Sequence, residues 1–520
     1  MAISTLKLIC KPNLQHRPIP FQCVRKVVPR SVPSVEPEEC SRSLIRKQVN
    51  IKKAPAWKKF NSKELGFRNS MIANPVQKVL NMLKKKGYYV YLVGGCVRDL
   101  ILMQTPKDFD IITSADLREV MRTFAWCEIV GKRFPICHVH MDGIIVEVSS
   151  FNTSSSRCKP GRHFAHDVEF EAPKGCDKED YLRWRNCLNR DFTINGFMFD
   201  PFAKIVYDYM GGMEDIKKAK VRTMVPAATS FQEDCARILR AIRIAARLGF
   251  SISTETARSI KALSYSVLRL DKGRLLMEMN YMLAYGSGEA SLRLLWKYGL
   301  LDILLPFQAL YFVRHGFRRR DKRTNMLLSF FFNLDKLLAP DCPCHSSLWV
   351  GILALHKSLS DQPRNPLVIA AFSLAIYNGG NLLEAVDIAR RIDKPHDIRF
   401  PELSDPCDLN AKALKNEILD LVESVKVSLL QMTSKHSVAR AMADYPQAPY
   451  SDMVFIPLAV YLKALGIFDC LKVNACKRFL SKKGRNIDYE SLARGDPLEI
   501  RHLFARVVFD TVYPLHIGQS

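Results

Sequence analysis

The sequence predicts an α/β head followed by a long all-helical body. Three observations carry this. Residues 75–150 mix helical spacing with strand-like apolar runs, residues 230–250 form one strongly periodic helical stretch, and beyond residue 255 helical periodicity dominates while strand signals are rare. In order along the chain, Val79, Leu80 and Leu83 fall at helical spacing after Pro75, with Gly87 placed to end that helix. Tyr88 to Val93 reads as a buried strand that stops at Gly94-Gly95, and Asp108 to Thr113 as the next. Residues 138–151 alternate around Asp142-Gly143, a hairpin signal. Residues 155–185 are polar and read as a loop, and order returns at 189–201. In 230–250, Ser230 and Glu233 read as a capping box, Ile238, Ile242 and Ala245 as the apolar stripe, and Gly249 as the stop. No internal repeat is visible.

Composition narrows the class. The 520 residues are 48% hydrophobic and 25% charged, enough for a sizeable core. Lys and Arg exceed Asp and Glu by 77 to 52, and a net charge of +25 favours a polyanionic partner such as nucleic acid. The 15 cysteines contain no CxxC pair, which argues against a disulfide framework and for a reducing compartment. Cys342-Pro343-Cys344-His345 lacks zinc spacing and an answering pair. No apolar run reaches the roughly 18 residues that span a bilayer, and Leu367–Tyr377 reads as a core helix. The first 35 residues carry six basic residues and no acid, the composition of an organelle transit peptide. The opening Met-Ala-Ile-Ser puts chloroplast first and mitochondrion second.

The chemistry concentrates in YLVGGCVRDLILMQTPKDFDIITS, residues 91–114. Alternation on a strand places Asp108 and Asp110 on one face, with Phe109 and Ile111 turned to a core. Two carboxylates this close repel, and Mg²⁺, a hard cation, removes the penalty. Glu147, on the strand after the Asp142-Gly143 turn, is the candidate third carboxylate, completing what a two-metal phosphoryl transfer needs. Gly94 and Gly95 lead into a helix start whose free N–H groups suit a triphosphate, and Arg98 adds a cation. Gly-Gly or Asp-x-Asp alone is weak; together, within one α/β segment, they are far more specific.

In sum, GGCVRDLIL followed by KDFDI, then NRDFTIN, DP, YDYMGG and FQEDCARILRAIRIAARLGF, resembles the class II nucleotidyltransferases, which comprise the tRNA CCA-adding enzymes and the bacterial-type poly(A) polymerases. The resemblance runs from about residue 75 to about 305. It implies a polymerase-β-like head that extends RNA 3′ ends without a nucleic-acid template. It further implies that Asp108 and Asp110 are the metal-binding catalytic pair, with Glu147 as third metal carboxylate and Asp191 as another catalytic acid. Arg190, Asp191 and Asn195 belong to the motif held to recognise ribose and phosphates. Asp234 and Arg237, three apart on a helix, become the protein template for the incoming base, with Arg240 extending their face toward phosphate.

Two positions depart from the family. Asn189 replaces an Arg, and Ser149-Ser150-Phe151-Asn152 lacks the Arg of a Thr-Phe-Arg continuation, for which Arg157 is a candidate substitute. Residues 129–139 resemble the poly(A) polymerase branch, where a Gly-Arg-Arg-Phe-type segment precedes the hairpin, while the pattern from Gly273 to Pro306 resembles both branches. The domains expected are a leader (1–50), a linker (51–74), the nucleotidyltransferase head (75–205), a neck with the base-selecting helix (206–270), and a helical RNA-binding body and tail (271–520). The run Arg314–Arg320, with Phe317 inside it, is a candidate RNA contact. His396-Asp397 reads as turn chemistry. The expected function is Mg²⁺-dependent transfer of AMP from ATP to an RNA 3′ end, whether mRNA, rRNA or tRNA, with no membrane and no obligate protein partner. The alternatives are CCA addition to tRNA and an RNA-binding protein that has lost catalysis, a reading that Asn152 and Asn189 favour.

Overall fold

The structure, a computed structural model, describes residues 57–131, 135–152, 176–339, 341–443, 453–471, 482, 484 and 486–514. The leader, Arg157, residues 132–134 and most of the expected 155–185 loop lie outside these.

The head is built on an eight-stranded mixed sheet in the order β1-β8-β7-β2-β3-β6-β5-β4. Its strands are β1 (Lys58–Asn61), β2 (Val90–Val93), β3 (Asp110–Thr113), β4 (Cys127–Val130), β5 (Ile136–Met141), β6 (Ile144–Ser150), β7 (Met198–Asp200) and β8 (Ile205–Asp208). Among the described strands of this sheet only β3 and β6 pair in parallel. The β5–β6 hairpin turns at Asp142-Gly143, both at positive φ (49° and 80°), as the sequence predicts. Two expected boundaries shift. The linker 51–74 contains β1, which pairs with β8, and Phe67, which is fully buried. The head's sheet also continues past residue 205 to Asp208. Short strands such as KKFN carry too little periodicity to be distinguished from a linker.

Alternation along the strands divides the side chains between two cores. Leu92, Ile111, Val146, Val148, Cys137 and Val139 face one side, covered by α1 (Asn74–Lys85), α2 (Gly95–Ile101) and α3 (Leu117–Thr123). Tyr91, Val93, Ile112, Met198 and Tyr207 face the other, against Trp184 and Cys187 of α4 (Lys178–Leu188). Helix α4 is clamped there by Arg183, 4% exposed, which donates to Tyr209 Oη (2.8 Å), Tyr91 Oη (2.9 Å) and Asp180 Oδ1 (2.6 Å) and lies 4.4 Å over the Tyr207 ring. Burial alone would raise the Asp180 carboxyl, but the Tyr209, Arg183 and Lys59 bonds overcome it and pull the group down to about 2. A depressed folded value stabilises the fold above the unfolded value of about 3.9, and this is lost as pH falls toward 2. Replacing Arg183 with Met should therefore cost about 3 kcal/mol at pH 7, because it leaves the Asp180 carboxylate with only the half-exposed Lys59 as its cation. Urea unfolding at pH 7 and near pH 2.5 checks this: the penalty should shrink at the lower pH.

The chain then runs through α5 (Gly212–Lys217), α6 (Ala227–Glu233), α7 (Ala236–Leu248), α8 (Thr254–Ala262) and α9 (Lys272–Leu283) into further helices, ending with Pro497–Val512. One continuous hydrophobic core joins α7, Leu275 and Met279 of α9, Trp349, Phe372 and Phe504, so no break in packing falls at residue 270. Pro366–Tyr377 is a buried helix of this core. Among the described residues no helix is long and apolar enough to cross a membrane.

Candidate active site

The expected single helix over 230–250 is two helices. Helix α6 ends at Glu233, Asp234 is extended (φ −143°, ψ 100°), and α7 starts at Ala236. Ser230 lies within α6, fully buried, and so cannot be the predicted cap. Asp234 takes that work instead, accepting the Ala236 N–H at 3.0 Å. An Asp next to the start of an apolar stripe was the signal for a break.

The carboxylates stand at one end of the head sheet. In register across it run Met198, Val93, Asp110, Glu147 and His138. Directly opposed residues share a face, so this row begins in the apolar core under α4 and continues as acids past its edge. Asp110 opens β3 rather than lying inside it, and Asp108 precedes the strand. Phe109 and Ile111 do pack on the opposite core, as predicted. Burial raises the Asp110 carboxyl; Arg190 and Arg240 oppose the rise and Asp108 adds to it. Glu147 is raised likewise, by burial and then by Asp110. Glu147 nevertheless stays 52% exposed and lies 3.9 Å from His138 Nε2, its cross-strand neighbour. Among the described residues no group of three His, Cys, Asp or Glu is arranged to hold a metal, so the expected three-carboxylate cage is not formed. What remains is a repelling Asp108/Asp110 pair with Glu147 beside it.

Gly94 sits at the end of β2 with φ 84° and ψ −139°. A Cβ there would lie 2.7 Å from Arg190 Nη1 and 3.3 Å from Asp110 Oδ2. The glycine thus lets the Arg190 guanidinium reach the carboxylate end of β3. Gly95, the first residue of α2, carries no such demand, since its Cβ would meet only Arg98 at ordinary contact.

Behind this pair runs a polar chain. Arg98 bonds Asp99 Oδ1 through Nε (2.8 Å) and Nη2 (2.6 Å) and donates to Asn195 Oδ1 through Nη1 (2.6 Å). Asn195 donates to Asp191 Oδ1 (3.1 Å), and Asp191 Oδ2 is 2.7 Å from Arg240 Nη2. Asp191 is 5% exposed; burial would raise it, but Arg240, Asn195 and the Phe192 N–H hold it below the usual carboxylate range. Its oxygens are thus engaged by Arg240, Asn195 and the Phe192 N–H, and it serves as an anchor for Arg240. The 190–195 segment is braced in turn by the YDYMGG turn. Asp208 caps α5 by accepting from Gly212 and Met213 N–H groups (2.9 Å each), and Gly212 approaches so closely that a Cβ would lie 2.4 Å from Thr193 O.

Arg237, 7% exposed, bonds Ser230 Oγ (3.0 Å), Glu233 Oε2 (2.9 Å) and Asn189 O (3.3 Å). Its acidic partner is thus Glu233, which leaves Asp234 half-buried at the helix break without an ion pair to Arg237. Asn189 caps α4 and supplies that carbonyl, a role indifferent to its side chain.

Sequence reasoning stopped at Arg240, but the same side of α7 continues. Arg243 pairs with the fully buried Glu278 (3.2 Å), which also holds Arg274 (3.0 Å), and lies 4.7 Å over the Tyr281 ring. Tyr281 and Tyr285 neighbour each other at 5.2 Å, Lys107 lies 4.8 Å over Tyr285, and the Asp108 charge is felt at the Tyr285 hydroxyl. The 3-3-4 spacing of Arg237, Arg240, Arg243 and Arg247 was the missed signal.

Known proteins resemble this chain in sequence. A family model described as "Poly A polymerase head domain" matches residues 90–222, and one described as "Probable RNA and SrmB- binding site of polymerase A" matches 249–311. The chain is 33% identical to a CCA-adding enzyme of Bacillus pumilus over 386 residues, 73% of this chain and 82% of that enzyme. It belongs to the poly(A) polymerase and CCA-adding nucleotidyltransferase family.

Within this family, poly(A) polymerase I of Escherichia coli O157:H7 is 34% identical over 297 residues, which cover 55% of this chain and 60% of that enzyme. A solved Thermotoga maritima CCA-adding enzyme complexed with tRNA is 17% identical, with a TM-score of 0.40 over 89% of this chain and 96% of its own. Asp110 and Arg190 meet at Gly94, with the Asp108 charge felt at Asp110, and Arg98, Asn195, Asp191 and Arg240 form the chain behind them. Of the basic run, Arg319 is bound to Asp302 and lies 3.8 Å over Trp296, and Phe317 packs on Phe312, so this aromatic belongs to the body's core rather than to a stacking surface. His345 caps a helix by accepting the Ser347 N–H, and Asp397 accepts from Arg399 within a turn.

Proposed function

We propose that the chain is a template-independent RNA nucleotidyltransferase that moves AMP from ATP to an RNA 3′ hydroxyl. The observation that carries this is the meeting of Asp110 and Arg190 over Gly94, an acid and a cation held together at the exposed end of a sheet. Mg²⁺ suits the site: Asp108 and Asp110 lie close enough for one charge to raise the other's carboxyl, and this ion is commonly held by one or two carboxylates plus substrate phosphates. Asp108 and Asp110 would hold it, with Glu147 in register beside Asp110 on the neighbouring strand. When bound, it supplies charge neutralisation at the phosphates and a more acidic 3′ hydroxyl.

The residues of the chain do the rest. Arg190 faces the phosphates. Asp191 and Asn195 orient Arg240 and Arg98 so that their positive charge lies along one side of the triphosphate. Asp234 and Arg237 flank the α6–α7 break, where a base edge would meet a carboxylate and a guanidinium whose orientation Glu233 and Ser230 fix. The 3′ oxygen bonds the α-phosphorus, the bond to the bridging oxygen breaks, and pyrophosphate leaves.

CCA addition to tRNA is the second reading, favoured by the 82% coverage of the Bacillus pumilus enzyme against 60% of the poly(A) polymerase. The Gly131-Lys132-Arg133-Phe134 stretch favours adenylation. Residues 50–520 with Mg²⁺ and labelled ATP or CTP, offered a generic RNA and a tRNA lacking its 3′ CCA, test both. Extension of the generic RNA by ATP alone is expected. CTP-then-ATP addition confined to the tRNA would replace the first reading with the second. No extension by folded protein would leave RNA binding alone. The acid-free first 35 residues support a chloroplast address, with mitochondrion second.

A further inference from the structure

A cavity of about 290 Å³ opens in the helical body, between the helices Pro306–Arg314, Ser346–Asp361, Ala411–Thr433 and Lys435–Ala443. It stands at the small end of ligand pockets, which run from roughly 300 Å³ upward. Tyr311 and His356 form its buried part, 2% and 1% exposed, with their rings edge-to-face at 4.4 Å. Neither nitrogen of His356 has a hydrogen-bond partner; the nearest acid, Glu402, is 4.0 Å from Nε2. Burial drives His356 down to about 3, so the imidazole is neutral, one nitrogen a donor and the other an acceptor.

The rim is cationic. Arg314 and Arg440 are exposed and make no ion pair among the described residues. Lys357, 8% exposed, lies 5.0 Å over the Phe307 ring and is bonded to Asp361, the one carboxylate of the lining. Three permanent cations therefore face a single acid that one of them already neutralises. Of the basic run read from sequence, Arg319 is committed to Asp302, whereas Arg314 reaches this cavity.

We propose that the cavity binds one nucleoside monophosphate unit, with the phosphate between Arg314, Arg440 and Lys357 and the base in the part walled by Phe307, Tyr311 and His356. An apolar ligand would waste the cations, and inorganic phosphate alone would leave the aromatic part unused. That unit arrives either as one residue of an RNA strand or as a free nucleotide. The inference is independent of the proposed transfer reaction, because no residue of the lining belongs to the carboxylate site.

The test is calorimetric titration of the full chain with AMP, inorganic phosphate and adenosine, in the presence of a saturating non-hydrolysable ATP analogue that fills the proposed transferase site. AMP should bind with one-to-one stoichiometry, and phosphate and adenosine more weakly. Arg314→Ala with Arg440→Ala, both at exposed positions, should weaken AMP at least about tenfold, the loss of charge-assisted contacts, without lowering Tm. A single-stranded oligoribonucleotide that displaces AMP and is itself weakened by the double variant identifies RNA as the source; one that does not compete identifies the free nucleotide. AMP binding that the double variant leaves unchanged, or that disappears once the ATP analogue is present, overturns the proposal.

Discussion

Asp110→Asn is expected to lower nucleotide incorporation by roughly 10³-fold or more, the scale seen when one group that stabilises a transition state is removed. The same change is expected to raise, not lower, the Tm of the metal-free chain. Asp110 is a carboxyl lifted above its ordinary range by burial and then by Asp108, against the pull of Arg190 and Arg240. A carboxyl with a raised folded value binds its proton more tightly when folded than when unfolded. Its ionised form thus opposes folding above the folded value, and the opposition fades as pH falls through it. The amide abolishes that charge at every pH. Three melts distinguish this from a merely structural role. In EDTA near pH 7.5 the variant should melt above the wild type; near pH 4 the two should converge; and added Mg²⁺ should raise only the wild type, by about 2.7 kcal/mol when the ion is at about 100 times its Kd. A variant that melts lower in EDTA would show that Asp110 is held by favourable contacts and would remove the electrostatic case for a cation there.

The legible and the illegible parts of the molecule differ in the range of the interactions that define them. The Asp142-Gly143 hairpin, the α1 helix ending at Gly87 and the Gly249 stop all follow from residues close in sequence, and the structure has each of them. Strand β1 owes its existence to β8, almost 150 residues away in sequence, and no local pattern announces such a pairing. The Arg183 clamp and the Glu278 pair are likewise long-range: single charged residues on amphipathic helices look like solvated faces until the fold buries them. Asp191 and Glu147 show the same limit within the site. Both were placed in the right neighbourhood by motif and register, but Asp191 has its oxygens taken by Arg240, Asn195 and the Phe192 N–H, and Glu147 is turned toward His138. Which carboxylate is available to a ligand is decided by its other partners, and those come from distant segments. The α6–α7 break is different, because Asp234 lay in plain view and the longer periodic pattern overrode it.

Gly94→Ala is expected to be the most damaging change that alters no charge. Its backbone, at φ 84° and ψ −139°, lies in a region that L side chains rarely occupy and that costs of order 1–3 kcal/mol to hold. The added methyl would also stand 2.7 Å from Arg190 Nη1 and 3.3 Å from Asp110 Oδ2, so the two groups that define the site must part. Misplacement by about 1 Å at a reacting centre can cost on the order of 10²-fold in rate. Incorporation should therefore fall by about that factor, beyond what the loss of stability explains at a temperature where the variant is folded. Gly95→Ala is the internal control. Its Cβ would meet only Arg98, at 3.6 Å, and alanine is the better helix former by roughly 1 kcal/mol. If steric access at Gly94 is what matters, Gly95→Ala should keep activity within about threefold of wild type, well short of a tenfold step in transition-state stabilisation. If both variants fail alike, the backbone N–H groups at the start of α2 carry the phosphates, and the glycine pair acts as one unit. If Gly94→Ala remains as active as Gly95→Ala, Arg190 can retreat without consequence, and its placement over Asp110 is not what organises the site.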